Sequence, residues 1–214
     1  MNKEDRIKTY KALCDQGRIT NLFNQPWWLD ATGDWDVVFG LRNEQVVGTF
    51  PFAVGKRMGI RTIGMPAMTH HLRLWMDKPP DISDHKWLTR EKQIIWSMID
   101  ELPDYGFFSM VFDERSFDNW LPFHWKEFRQ EMRYTFVIDQ VEPDVLDQQL
   151  NRNLKRALKL EGYKLKLTRE VSTDDFFTLC QNTYRRQNIK MPFTKSVFEK
   201  IDAAITQHQA GIKI

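Results

Sequence analysis

Apolar residues recur at helical spacing at Ile7, Tyr10, Leu13 and Cys14 and stop at Gly17, which predicts an N-terminal helix. A short helix is predicted over 24–29, with Pro26 near its start, where a missing N–H leaves nothing unpaired. The pattern then changes. Segments 35–42, 45–55 and 60–65 are rich in Val, Ile and Phe and are separated only by Asn43-Glu44 and Arg57-Met58-Gly59, so they predict an antiparallel meander. Residues 66–86, containing His70, His71 and Pro79-Pro80, predict a loop. Thr89 can cap a helix running to Leu102 that buries Ile94, Ile95, Met98, Ile99 and Leu102, and Pro103 with Gly106 ends it before a strand over 107–112.

A short helix over 119–127 and a strand over 130–138 continue this β-β-β-α-β order. Residues 144–162 form a separate pattern, with Asp144 as N-cap and Gly162 as terminator. At about 100° per residue, Arg152, Lys155, Arg156 and Lys159 share one face of that helix, and Leu146, Leu150, Leu154, Ala157 and Leu158 the opposite one. The cationic stripe either meets a phosphate-rich ligand or is a solvated face behind a buried one. Alternation over 163–167 predicts a strand, and Ser172 and Thr194 cap two further helices, the last ending at Gly211. Residues 211–214 look like the opening of a strand, so a further sheet is expected downstream.

Composition narrows the class. With 214 residues, 42% hydrophobic and 28% charged, the chain has the profile of a folded domain rather than a disordered one. Its 8 Trp and 15 Phe are enough either to fill a core or to line a groove for a long ligand. The net charge of +2 hides an asymmetry: 18 Lys/Arg stand against 23 Asp/Glu up to residue 150, and 13 against 6 after it. A local positive field suits a nucleotide, coenzyme or RNA-acceptor site better than non-specific coating of DNA, so no DNA partner is expected. Cys14 and Cys180 match no metal or redox spacing, which fits a reducing cytoplasm. The charged N-terminus lacks an apolar signal region, and no window reaches the roughly 18 apolar residues of a membrane span.

Candidate chemistry is sparse. His70 or His71, beside Thr69, could act as a general base towards an attacking amine, although adjacent side chains in an extended loop diverge and a plain loop role competes. Trp28, Trp120 and Trp125, with Trp27, could line a substrate groove, and core packing is the alternative. No metal site is expected. Nucleotide-binding Gly-rich loops and the Gly-x-Ser-x-Gly elbow are absent from the sequence.

Two stretches, Phe117-Asp-Asn-Trp-Leu-Pro-Phe-His-Trp-Lys-Glu-Phe128 with Arg133-Tyr-Thr-Phe-Val-Ile138, and Asn151-Arg-Asn-Leu-Lys-Arg-Ala157, resemble the FemAB-type acyltransferases of the GNAT superfamily. Gln25-Pro-Trp-Trp-Leu29 and Tyr184-Arg-Arg-Gln187 extend the likeness over most of the chain. The resemblance implies an α+β, GNAT-like fold: a mixed, largely antiparallel sheet flanked by helices. It also implies a first lobe over 1–142 and a truncated second lobe over 143–214. By the same resemblance Arg152, Lys155 and Arg156 would contact phosphates of a nucleotide-linked acceptor. The implied activity moves an activated acyl group onto the amine of a small-molecule or nucleotide-linked acceptor. Acyl-CoA or aminoacyl-tRNA would be the donor, with tRNA as a possible partner and no covalently bound cofactor. Gly55-Lys-Arg-Met-Gly59 has the glycines of a pyrophosphate loop but joins two strands, so a donor site would fall to the second lobe. The alternative is a non-catalytic GNAT-like scaffold that binds a glycan or peptide.

Overall fold

The computed structural model describes residues 1–113, 120–134 and 171–211. Residues 1–129 and 172–212 form one compact unit, and 130–171 with 213–214 form another. Of the second unit only 130–134 and Val171 are described, and they carry no regular structure. The helix expected over 144–162 and the strand over 163–167 therefore lie outside the described residues, as do 135–138 of the strand expected over 130–138, whose described part, 130–134, forms no strand.

The first unit is α+β. Helices α1 (Lys3–Asp15) and α2 (Pro26–Thr32) precede strands β1 (Trp35–Arg42), β2 (Gln45–Arg57), β3 (Ile60–Gly64) and β4 (Trp75–Met76). Then come α3 (Asp84–Asp100), β5 (Phe107–Ser109), α4 (Leu121–His124), α5 (Thr173–Arg186) and α6 (Lys195–Gln207). The strands make one mixed, mostly antiparallel sheet in the order β1-β2-β3-β5, with β4 beside β2. Among the described strands β3 and β5 are the pair that runs parallel, and α3 lies in the connection between them. Both hairpin turns, Asn43-Glu44 and Met58-Gly59, place two consecutive residues at positive φ, the geometry that matches the strand twist.

Both faces of the sheet are covered, which is why β1 is buried over 35–40 and reads Val37-Val38-Phe39 without alternation, while its one acid in that stretch, Asp36, is paired with Arg6. On one face Val38, Phe50, Phe52 and Ile63 pack with Ile94, Ile95 and Met98 of α3 and Phe123 of α4. On the other, Trp35, Val37, Phe39 and Leu72 pack with Tyr10 and Leu13 of α1. Each such buried side chain is worth about 1.5–3 kcal/mol. A third cluster joins Trp28 and Ala31 of α2 to Ile201 of α6. Thus the two last helices, expected beyond a boundary at residue 142, group in space with residues 1–129.

Helix ends follow local chemistry. Asn2, Ser172 and Thr194 cap α1, α5 and α6 by accepting from the N–H groups of Asp5, Asp175 and Val197. Gly17 ends α1 in a left-handed position, with Arg18 N–H donating to Leu13 and Gly17 N–H to Cys14. Three expectations need correction. Helix α3 starts at Asp84 after Ser83, not at Thr89, whose hydroxyl instead reaches back to the His85 carbonyl inside the helix. Helix α6 ends before Gly211, because Gln209 takes the left-handed position and Ala210 N–H closes on Ile205. Within the expected loop, Trp75 and Met76 pair with Thr49 and Gly48 as β4.

One close approach governs how α3 seats. Gly40 and Gly48 face each other across β1 and β2, and a register shift follows between Gly40 and Leu41. A Cβ on Gly40 would come within 2.7 Å of Ile94 Cγ2, and one on Gly48 within 2.5 Å. The two glycines form a notch that receives Ile94. Gly48→Ala is expected to cost about 1–3 kcal/mol through overpacking, read as a lower urea midpoint. In Gly48→Ala/Ile94→Ala the two losses should sum to less than their separate values, and strict additivity would contradict the clash.

Burial, then the charge of Asp15, pushes the Cys14 thiol up to about 12, and burial also raises the Tyr10 phenol well above its ordinary value. In the unfolded chain the thiol ionises at about pH 8.5–9. Folding stability is therefore full below that pH and is lost as pH rises from there towards the folded value. Urea midpoints measured at about pH 8 and about pH 10.5 should show the decline, and Cys14→Ala should reduce it to the share that Tyr10 contributes near the upper pH.

Candidate functional site

The candidate site is built on the segment between β3 and β4, residues 65–74, which is tied to its surroundings at several points. Asn24, 0% exposed, sits in the single turn of 3-10 helix before α2. Its side chain stands in for a strand partner: Arg73 N–H donates to Asn24 Oδ1 at 2.9 Å, and Asn24 Nδ2 donates to the Arg73 carbonyl at 2.8 Å. Tyr10 Oη donates to the Asn24 carbonyl at 2.7 Å, so α1 holds the same turn. One residue earlier, Leu72 N–H donates to Val111 at 2.9 Å, and Asp113 N–H donates to Leu72, making a short parallel bridge.

The Arg73 side chain closes the network. Its Nε and Nη2 donate to Oδ2 of Asp113, at 2.9 and 2.5 Å, and that carboxylate is only 5% exposed. A buried carboxylate needs such a cation and such donors to stay charged. Nearer the tip, Trp28 Nε1 donates to Thr69 Oγ1 at 2.9 Å, and Thr69 can donate to the Ala67 carbonyl at 3.3 Å.

His71 rests edge-on against Phe23, centroids 5.2 Å apart at 85°. His70 is exposed. The two imidazoles do not diverge: their Nδ1 atoms lie 3.1 Å apart and the rings meet at 87°. His71 packs on Phe23, and the exposed His70 ring meets its edge. With one proton between the two Nδ1 atoms, one ring donates and the other accepts. A third imidazole, His208, stacks on Trp27 at 4.5 Å and 11°.

The remaining candidates fall elsewhere. Trp28 does not border a groove: it is 5% exposed, packed on Phe23 and Trp27, with its indole N–H spent on Thr69. Trp120 and Trp125 are 37% and 53% exposed beside α4. Trp125 meets Trp96 of α3 edge-on, and Lys92 Nζ lies over both rings at 5.0 and 5.5 Å. Among the described residues no ring contact joins Trp28 to Trp120 or Trp125. Arg152, Lys155 and Arg156 lie outside the described residues. Among the described residues, no group of three or more His, Cys, Asp or Glu could hold a metal, and no helix is long and apolar enough to cross a membrane.

Asn24, Arg73 and Asp113 carry no motif that would mark them in the sequence. The one available hint is a polar residue, Asn24, wedged between Phe23 and Gln25-Pro26. Comparison with known protein families, with characterised proteins and with solved structures returned no match to this chain.

Asn24→Ala would strip two backbone groups of Arg73 of their partners at once. The expected cost is about 2–4 kcal/mol, measured by denaturant unfolding. Amide exchange at Arg73 and Leu72 should accelerate by more than the global loss explains, since the loop is released before the sheet. Unchanged exchange there would refute the pinning role.

Proposed function

We propose that this chain belongs to an acyltransferase or aminoacyltransferase of the FemAB-like GNAT type, acting in the cytoplasm on an amine acceptor. The α+β architecture with a mixed, mostly antiparallel sheet is compatible with it. The observation that carries it is an exposed imidazole, His70, whose Nδ1 is held 3.1 Å from Nδ1 of His71 on a pinned loop. In the tautomer where His70 Nδ1–H donates to His71, the Nε2 lone pair of His70 is free to accept a proton.

The amine nitrogen of the acceptor then attacks the carbonyl carbon of an acyl thioester or aminoacyl ester. The C–N bond forms as His70 Nε2 takes the proton that the nitrogen must lose, the C–S or C–O bond breaks, and His70 passes that proton to the departing sulfur or oxygen, releasing thiol or tRNA hydroxyl and restoring the neutral imidazole. No covalent enzyme intermediate is required. His71 keeps the His70 ring oriented and accepts from its Nδ1–H in the imidazolium state. Holding donor and acceptor together supplies most of the acceleration, and the base a smaller share. Arg152, Lys155 and Arg156 remain the proposed phosphate contacts, in a second lobe.

The test supplies an amine acceptor with acyl-CoA, following free thiol, or with charged tRNA, following transferred label. His70→Ala should lower the rate by about 10²–10⁴-fold. His71→Phe should cost less and displace the pH profile of the remaining activity. Full activity in His70→Ala would reject the assignment of the base. Absence of both activities in the wild-type chain, with binding of a glycan or peptide lost in Trp125→Ala, would favour a non-catalytic scaffold, the reading that the exposed Trp120 and Trp125 support.

A further inference from the structure

We propose that Arg42, Lys86 and Arg90 form a binding site for a small molecule carrying a diphosphate group. The three cations line a surface hollow of about 410 Å³ beside α3, where Leu41 and Ile94 supply apolar wall and Gln93 adds a neutral polar group. A smaller hollow of about 270 Å³ shares Arg42 and Arg90, so the two guanidinium groups border both. The larger volume is within the range of small-ligand sites, roughly 300–1,000 Å³.

Among the described residues neither Arg42, Lys86 nor Arg90 makes an ion pair or side-chain hydrogen bond. Among the residues that line the two hollows Asp77 is the one acid, and Glu44, Asp81 and Asp84 line neither. Asp77, which lines the smaller hollow, pairs with Arg18 at 2.6 Å, and Asp84, at the start of α3, pairs with Lys78 at 3.2 Å. The hollow therefore keeps a surplus of positive charge. Two planar guanidinium forks and one ammonium match the several oxygens and the two to three negative charges of a diphosphate. A single carboxylate would leave two of the three cations unmatched. An open, solvated hollow also suits a charged group better than an apolar ligand. None of these residues belongs to the His70 loop, so the site stands apart from the acyl-transfer reading.

Inorganic pyrophosphate, inorganic phosphate and a ten-nucleotide single-stranded RNA, each titrated into the full chain at low ionic strength and followed by amide NMR shifts, give the test. Pyrophosphate should bind saturably and more tightly than phosphate, perturb the amides of Arg42 and 86–93, and weaken as salt is raised. Arg42→Gln/Arg90→Gln should weaken it by about tenfold or more with the melting temperature unchanged. Lys56→Gln/Arg57→Gln, which removes two exposed cations from another hairpin, should leave it intact. The proposal is overturned if pyrophosphate does not saturate, if the control pair loses as much as the site pair, or if RNA binds while pyrophosphate does not.

Discussion

The buried amide of Asn24 is the constraint on which the loop carrying His70 depends. Its two hydrogen bonds to Arg73 let a residue from a helical turn complete the backbone pairing of a loop 49 positions away. Because Asn24 has no exposure, water offers no substitute for either bond, and the pair resists opening more than a surface contact would. The same loop segment then binds outward to Asp113 through a guanidinium and inward to Val111 through Leu72. Tyr10 adds α1 to the chain of contacts. Where His70 stands relative to the sheet is thus inherited from a side chain that is itself far from any chemistry.

A second constraint sets the other side of the sheet. The cross-strand pair Gly40 and Gly48 lets Ile94 approach to a distance no β-carbon would permit, and this fixes α3 close over β1 and β2. Helix and hairpin are then near neighbours along the two turns before Ile94, where the residues are polar: Lys86, Thr89, Arg90 and Gln93 beside Arg42. The basic hollow is a consequence of seating Ile94, since the helix that buries one face must lay its flank along the hairpin. Packing and surface electrostatics share one cause here.

Much of this fold was legible because local rules decided it. The strands of the meander, the capping roles of Ser172 and Thr194 and the stop at Gly17 follow from propensity and capping chemistry within a few residues. What escaped depended on distant partners or on choices between locally equivalent options. Ser83 and Thr89 are both of a residue type that caps helices; Ser83 takes the N-cap position of α3, yet its side chain makes no capping hydrogen bond there. Gln209 takes the left-handed position although Gly211 stands two residues on, because the apolar stripe of α6 ends with Ile205. Strand β4 needs β2 as a template, and two residues carry no periodicity of their own. His71, which meets His70, also rests on Phe23, 48 positions earlier, and no spacing rule links them. The cationic stripe at Arg152, Lys155 and Arg156 was the strongest sequence signal for a ligand, and it falls outside the described residues.

Charge gives the sharper lesson about reading function from composition. By count, the basic character of this chain begins after residue 150, and the preceding part is net acidic. Yet the hollow with unpaired cations lies in that acidic part, because charges compensate only within a screening length of about 8 Å. Arg18 and Lys78 make surface pairs, each worth only about 0–1 kcal/mol to stability. Arg18 also engages Asp77, the carboxylate that borders the smaller hollow together with Arg42 and Arg90. A positive site in this fold is therefore made as much by where the acids are engaged as by where the bases stand, and that arrangement exists only once α3 and the β1–β2 hairpin have met.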